Sequence, residues 1–402
     1  MEKQTKATPA EKQPGKQLSL RLVCVLCVLC LLMGAVLILA LLWGTFGREG
    51  ITLLKAQHLI ATHYVGDYDA DQHNQAVLNT MVRSLGDRWS YYLTPEEYQQ
   101  TQENRSNAYV GIGITIRRQE DGGLLITGVE PGSSGAQAGL QTGEILRGVN
   151  GVTLTPENQE DCLQKIKGEL GSTVTLSAEG TDGAVRTLTV TRQTVQKVSV
   201  HWTMLKGNVG LLTIENFYIG TGQHLREGVE ALLAQNARAL VFDVRNNPGG
   251  YVTELTDSLD RLLPEGTIFI SRKYTGKEPV YTSDALCVDL PMAVLVNGDS
   301  YSAAEFFAAE LKESAGAVVA GTQTSGKGFS QMLYPLPDGS AVNLSTARYF
   351  TGNGVSLIGT GLTPDPSVEL SDAAKQQLLL GSLPAEEDLQ LQAAIRAMNL
   401  DQ

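Results

Sequence analysis

From Leu22 to Gly47 no residue carries a formal charge, and Leu, Val, Ile, Ala and Cys dominate the run. That exceeds the roughly 20 residues an α-helix needs to cross a bilayer core. Ahead of it stand Lys3, Lys6, Lys12, Lys16 and Arg21, opposed only by Glu2 and Glu11. Positive flanks stay in the cytoplasm, so the N-terminus is expected inside the cell membrane and everything after Gly47 outside the cytoplasm. The apolar region is too long for a cleaved signal peptide, and no A-x-A site follows it. The expectation is an uncleaved single-pass anchor with Trp43 near the outer interface. Cys24, Cys27 and Cys30 lie inside the span. Only Cys162 and Cys287 follow it, which leaves one disulfide open and excludes a disulfide framework.

A chain of 402 residues is long enough for two or three domains. Its net charge of −12 lacks the basic footprint that nucleic acid requires, so nucleic acid is excluded as the main partner. The texture of the sequence divides it into a cytoplasmic tail (1–21), the anchor (22–47) and a helical region (48–107). Within that region ITLLKAQHLIATHYV and AVLNTMVRSLG space their apolar residues helically. In DRWSYYLTPEEYQQ, Thr94 is placed as an N-cap, Pro95 as the first helical residue, and the aromatics read as packing residues. His58, His63 and His73 share the region without any metal-like spacing. A β-rich domain (108–195) follows, with one helix expected to begin at Pro156. From 196 to 370 strands and helices alternate, and the continuous apolar runs in the strands predict a buried α/β core. There LYPLPDGSAVNLSTARYF predicts a hairpin turning at Asp338 and Gly339. The tail (371–402) reads as amphipathic helix, suited to packing or dimerisation.

Within the α/β region, PMAVLVNGDSYSAAEFF feeds a strand into a helix. Ser302 and Glu305 have the spacing of a capping box, which is one reading of the segment. The other makes Ser302 a nucleophile, because free amides at a helix N-terminus face developing negative charge. Ala303 N–H would then be one oxyanion donor. RNNPGG, at the end of the apolar strand ALVFDV, offers Gly249 or Gly250 as the second. Neither His201 nor His224 stands in a strand-end or glycine-rich context. Lys327, between Gly326 and Gly328 after the strand GAVVAG, remains as the base. To act near neutral pH its pKa must fall by roughly 3 units, a desolvation cost of about 4 kcal/mol. Burial beside an uncharged hydroxyl with no acidic partner would produce that fall. Gln331, four residues on, shares a face with Lys327 in a strand or a helix and can orient a neutral amine. No S-x-x-K occurs, which excludes the penicillin-binding type of Ser-Lys site.

Taken together, FDVRNNPGG, VLVNGDSYSAAEFFAAELKE and AGTQTSGKGFSQ resemble the carboxyl-terminal processing proteases, the S41 serine peptidases. The resemblance implies a crotonase- and ClpP-like α/β core and a serine endopeptidase acting through an acyl-enzyme. It makes Ser302 the nucleophile, Lys327 the base and Gln331 its orienting partner, with Gly249 or Gly250 and Ala303 as the oxyanion hole. Tyr301 departs from the pattern, in which alanine is commoner. GIGI and GSSGAQAGLQTGEILRGVNG resemble a PDZ domain, whose carboxylate-binding loop would be Gly111, Ile112, Gly113 and Ile114. A peptide's C-terminal tail would then add as a strand beside ITI. Relatives often end the PDZ helix with an arginine that couples ligand binding to proteolysis. Lys167 holds that position here, and lysine lacks the bidentate fork.

The expectation is therefore an α/β multidomain protein with one N-terminal transmembrane helix, a PDZ domain and an S41 core. It would be a membrane protease of protein tails that needs no metal or cofactor, with dimerisation implied by family habit. Two alternatives stand beside it: a catalytically idle PDZ scaffold at the membrane, and a crotonase-type acyl-CoA enzyme, which the export anchor disfavours.

Overall fold

The computed structural model describes residues 20–400. The basic tail, on which the expected membrane orientation rests, lies outside them up to residue 19. The chain separates into two bodies, Met1–Val77 and Leu78–Gln402. In the first, the helix Leu20–His63 breaks its helical backbone once, at Gly47 (φ 60°, ψ −172°), where the uncharged run ends. Cys24–Leu41 within it is long and apolar enough to cross a membrane, and none of it is buried by protein. The helix Ala70–Arg83 also starts in this body, and the Asp69 carboxylate accepts the N–H groups of Asp71 and Gln72 at 3.0 Å.

The core of the second body is a five-stranded sheet in the order Val200–Leu205, Val209–Ile214, Ala239–Asp243, Met292–Val296, Val318–Gly321. The last four run parallel. Alternate residues point to opposite faces, and both faces are covered, which is why the strands read as unbroken apolar runs. One face, carrying Leu240, Phe242, Val294 and Val296, packs on the helices Thr221–Ala234, Val252–Asp260 and Ala303–Ala315. The other, carrying Val241, Ala293 and Leu295, is covered by Leu391 and Ala394 of the helix Leu389–Ala397. The tail helix is thus part of the core.

A second sheet holds the expected hairpin, Phe329–Pro335 with Ala341–Phe350, together with Gly266–Lys273 and Val280–Ser283. It also holds Tyr91–Leu93, which pairs antiparallel with Ala341–Phe350. That corrects the all-helical reading of residues 48–107. YYL is too short for periodicity to reveal, and its strand character comes from a partner 250 residues away. The neighbouring helix Pro95–Arg105 has the expected Thr94 cap and capping box with Glu97.

The β-rich region forms a sheet with Ile114–Arg118 at one edge, followed by Leu124–Val129, Ile145–Val149, Thr173–Glu179 and Val185–Thr191. Its core gathers Ile112, Leu124, Leu146, Leu176 and Cys162. The helix here spans Gln159–Ile166, three residues later than Pro156 suggests. Asn158 Oδ1 accepts the Thr155 N–H at 2.8 Å and holds Pro156 in the turn ahead of it. Cys162 and Cys287 are both free.

Candidate active site

Three loops leave the carboxyl ends of three adjacent parallel strands, where α/β sheets place their ligands. RNNPGG follows Ala239–Asp243, NGDSYS follows Met292–Val296, and TQTSGKG follows Val318–Gly321. Because Met292–Val296 lies between the other two strands, Ser302 is flanked by the glycine loop on one side and the lysine loop on the other. Ser302, Lys327, Gln331 and Gly250 line one cleft of about 100 Å³, together with Arg105, Tyr218 and Tyr349. His201 and His224 do not line it. His201 pairs with Glu215, and His224 faces Ser199.

The backbone of Ser302 has φ 58° and ψ −124°, a conformation that costs a non-glycine residue of order 1–3 kcal/mol. It is held there from several sides. Tyr301 N–H donates to the Asn247 carbonyl at 3.2 Å, and Glu305 N–H to the Ser302 carbonyl at 2.9 Å. Ser300, fully buried, donates its hydroxyl to Val244 O at 2.7 Å and accepts the Asn297 N–H, so it is a turn residue. The following helix is anchored by Phe306 against Phe269 and Tyr349, and by Phe307 against Phe217 and Phe242.

Glu305 does more than the capping-box reading allowed. Its carboxylate is fully buried. Oε2 accepts the N–H of Ser302 at 3.0 Å and the N–H of Lys327 at 2.9 Å. Oε1 accepts the N–H of Gly326 at 2.8 Å and the Thr324 hydroxyl at 2.5 Å. One side chain therefore ties the serine turn to the lysine loop. Its partners are mostly backbone groups, so the sequence carries no signal for them beyond the buried position.

On the glycine side, the donors separate. Gly249 N–H donates to Asn247 Oδ1 at 2.8 Å, so the expectation that Gly249 supplies an oxyanion donor is not met. Gly249 is instead a spacer: at φ 82°, a Cβ there would lie 2.8 Å from Tyr301 O and 2.9 Å from Ala303 N. The N–H groups of Gly250 and Ala303 have no acceptor among the described residues. Gly250 is pinned by Phe217 N–H donating to Gly249 O at 2.9 Å and Tyr251 N–H to Phe217 O at 2.7 Å. A Cβ on Gly250 would meet Phe217 O at 2.1 Å. Two amides without an acceptor among the described residues thus lie beside Ser302, one on Gly250 in the cleft lining and one on Ala303 next in sequence, an arrangement suited to a developing oxyanion.

Lys327 is held at a pKa of about 8, first by burial and then by the Arg105 guanidinium. The expected absence of an acidic partner is corrected: Glu305 and Asp87 both pull the value upward. Lys327 Nζ forms no hydrogen bond or ion pair among the described residues. It lies 4.5 Å from the Trp89 ring centre and 5.4 Å from that of Tyr301. Gln331 shares the cleft, although the reasoning from an even offset fails. Lys327 precedes the strand Phe329–Pro335, and a bulge falls between Ser330 and Gln331. Gln331 Nε2 donates to Phe329 O at 3.0 Å and to Ser345 Oγ at 3.1 Å. Arg105, the last residue of its helix, and Trp89 are the site residues the sequence did not reveal, since each arrives from a segment far from the three motifs.

In the β-rich domain, Gly111 ends the strand Ala108–Gly111, Gly113 has φ 74°, and Ile114 opens the edge strand Ile114–Arg118. The carbonyls of Ile112 and Gly113 accept the N–H groups of Gly135 and Glu130. The amides of Ile112 and Gly113 find no acceptor among the described residues, as a carboxylate-binding loop requires. Ile114 and Ile116 of the edge strand and Leu163 of the helix Gln159–Ile166 are partly buried and pack against the domain core. Lys167 lies away from the Ser302 cleft, in a groove with Asn104, Tyr109 and Gly168. The carbonyls that end the helix are bound by Arg192, which donates to Ile166 O at 3.0 Å and Lys165 O at 2.6 Å.

Comparison with known proteins agrees with this architecture. The family model described as peptidase family S41 matches residues 208–368, and the PDZ domain model matches residues 100–179. The carboxy-terminal processing protease CtpA of Bacillus subtilis is 29% identical over 325 residues, covering 80% of this chain and 70% of that protein. The "Probable CtpA-like serine protease" of Staphylococcus epidermidis is 28% identical over 378 residues, covering 90% of this chain and 76% of that one. A solved chain from Bacteroides fragilis assigned to the S41 proteases shares the fold, with a TM-score of 0.50 and 20% identity over 84% of this chain and 93% of its own. With the serine turn, the glycine loop and the lysine loop meeting in one cleft beside a PDZ domain, the chain carries a peptidase family S41 domain over residues 208–368 and is a serine-type peptidase of the carboxy-terminal processing kind.

Proposed function

We propose that this protease is anchored in the cell membrane by the helix containing Cys24–Leu41 and works outside the cytoplasm. It captures protein C-terminal tails in its PDZ groove and cleaves them with Ser302 and Lys327. The observation that carries the reading is the joint placement in one cleft of a strained Ser302, the open Gly250 amide and a Lys327 amine with no hydrogen bond among the described residues. A neutral Lys327 amine takes the proton of Ser302 Oγ as that oxygen attacks the scissile carbonyl. The N–H groups of Gly250 and Ala303 receive the oxyanion. Lys327 then returns the proton to the leaving amine, and a water molecule hydrolyses the acyl-enzyme by the reverse sequence. Gln331 has its Nε2 committed elsewhere, which leaves Oε1 to orient the lysine amine. For tail recognition, the free amides of Ile112 and Gly113 bind the terminal carboxylate, and the tail adds along the edge strand from Ile114.

The test uses the full-length protein in detergent or vesicles with casein and a tailed model substrate. Ser302→Ala and Lys327→Ala should each lower cleavage by at least about a thousandfold, and undiminished cleavage by either rejects the mechanism. A C-terminally amidated tail should compete poorly with the free acid, and equal competition rejects carboxylate capture. Release of the protein by carbonate washing would reject the anchor.

A further inference from the structure

We propose that Trp89 and Tyr301 form an aromatic seat for the Lys327 ammonium and so set the pH at which this base discharges. The inference rests on Lys327 being the general base. Trp89 and Tyr301 lie with ring centres 5.9 Å apart and planes inclined by 35°, and Lys327 Nζ sits over both. The ammonium has no hydrogen-bonding partner among the described residues, so these π faces replace part of its lost hydration, and an indole is the best of the aromatic faces for a cation. Charged groups of both signs surround it. Arg105, at the end of the helix Pro95–Arg105, and Arg88, beside Trp89, disfavour the charged form. Glu305, from the helix Ala303–Ala315, and Asp87 favour it. The Tyr301 hydroxyl is pushed above its ordinary pKa by burial and so stays neutral.

The backbones that carry both rings are held in place. Trp89 N–H donates to Asp87 Oδ1 at 3.0 Å, and its carbonyl accepts from Asn343 Nδ2 at 3.0 Å. Tyr301 immediately precedes the strained serine. Arg88 lies over the Trp89 ring as well, at 4.3 Å, so that indole serves two cations. Trp89 and Tyr301 are thus positioning residues: they contact the base, and neither is in the lining of the Ser302 cleft. Tyr301 replaces the alanine more usual in sequences of this pattern, which leaves the second face of the seat as a property of this chain.

The test is the pH dependence of kcat/KM for the full-length enzyme. Tyr301→Leu and Trp89→Leu keep apolar bulk and remove the π face, so the acid limb should move down by about half a unit to one unit. Tyr301→Phe keeps the face and should leave the limb where it is. Alanine is avoided because water entering the gap would raise the lysine pKa. Where a leucine variant does not fold, global labelling with fluorotryptophan weakens the indole face without changing its shape. The limb should then fall in the labelled wild type and not in labelled Trp89→Phe. An unmoved limb in the leucine variants or in the labelled wild type overturns the seat, as does an equal shift in Tyr301→Phe. Full activity in Lys327→Ala would instead remove the base assignment on which the seat depends.

Discussion

Glu305 Oε2 accepts the backbone N–H of Lys327 at 2.9 Å, and the same oxygen accepts the N–H of Ser302 at 3.0 Å. Ser302 and Lys327, the proposed nucleophile and base, therefore stand in fixed register through a carboxylate that hydrogen-bonds to neither Ser302 Oγ nor Lys327 Nζ. This makes the geometry of the pair a property of the folded chain before substrate arrives, and preorganisation of that kind is where catalytic rate comes from.

Glu305→Gln separates this positioning role from charge. An amide presents one acceptor and one donor group to four donors, so two of the four lose their acceptor. Each orphaned donor costs about 1–3 kcal/mol. The expected result is a folded protein with kcat/KM lowered by about 10–100-fold, read in a steady-state assay alongside circular dichroism. Wild-type kcat/KM in this variant would show that the clasp does not position the pair.

The pH dependence follows from the position of Lys327. Only the neutral amine accepts a proton, and burial and Arg105 hold its pKa at about 8. Activity should thus rise with pH through a midpoint near 8 and level off above it. Replacing Arg105 by Gln removes a cation that disfavours the ammonium, so the lysine pKa rises and the limb moves to higher pH. Acid-limb midpoints of the two enzymes measured in one buffer series decide this, and a shift toward lower pH in Arg105→Gln would contradict it.

How much of this was legible in the sequence depends on how local each feature is. The serine turn, the glycine loop and the lysine loop each end an apolar strand, so motif and context lie within a dozen residues of one another. The parallel strand order then brings them together. The role of Glu305 was hidden because its partners are backbone groups of Gly326 and Lys327, which any sequence would possess. In sequence Trp89 reads as a packing residue, because its position depends on Tyr91–Leu93 pairing with Ala341–Phe350, and no periodicity in a three-residue strand reports such a partner. Gly249 and Gly250 were indistinguishable in the sequence. The Asn247 side chain separates them by occupying one amide and leaving the other open.

Glu310 predicts a stability effect of the opposite kind from most carboxylates. Burial pushes its pKa up to about 8 from an ordinary 4.5, although one oxygen accepts the Gly352 N–H. Oε2 has no partner among the described residues. The folded state keeps a proton that the unfolded state has released between pH 4.5 and about 8, so stability falls as pH rises across that window. Glu310→Gln retains the acceptor for Gly352 and cannot ionise. Its unfolding midpoint should therefore stay flatter between pH 5 and 8 than that of the wild type. Parallel midpoint curves for the two proteins would refute this.

Asp388 links the tail to the catalytic face. Arg245, buried just beyond the strand Ala239–Asp243, donates to Asp243 Oδ2 at 2.6 Å, Asp388 Oδ2 at 2.7 Å and Gln390 Oε1 at 2.9 Å. Asp388 Oδ1 also accepts the N–H groups of Gln390 and Leu391 at 3.1 Å, capping the helix Leu389–Ala397. Asp388→Ala removes the cap, worth about 1 kcal/mol, and leaves the buried Arg245 guanidinium ion-paired with Asp243 alone among the described residues, each lost charged hydrogen bond costing about 1.5–3 kcal/mol. Asp388→Asn keeps a capping oxygen and loses only the charge, so it should fall between wild type and Asp388→Ala in denaturant midpoint. Arg245 directly precedes the Asn246–Gly250 turn that presents the open amide. Loosening it should therefore lower kcat even at temperatures where Asp388→Ala remains folded. A variant with a lowered midpoint but unaltered kcat would confine Arg245 to stability and detach the tail helix from the site.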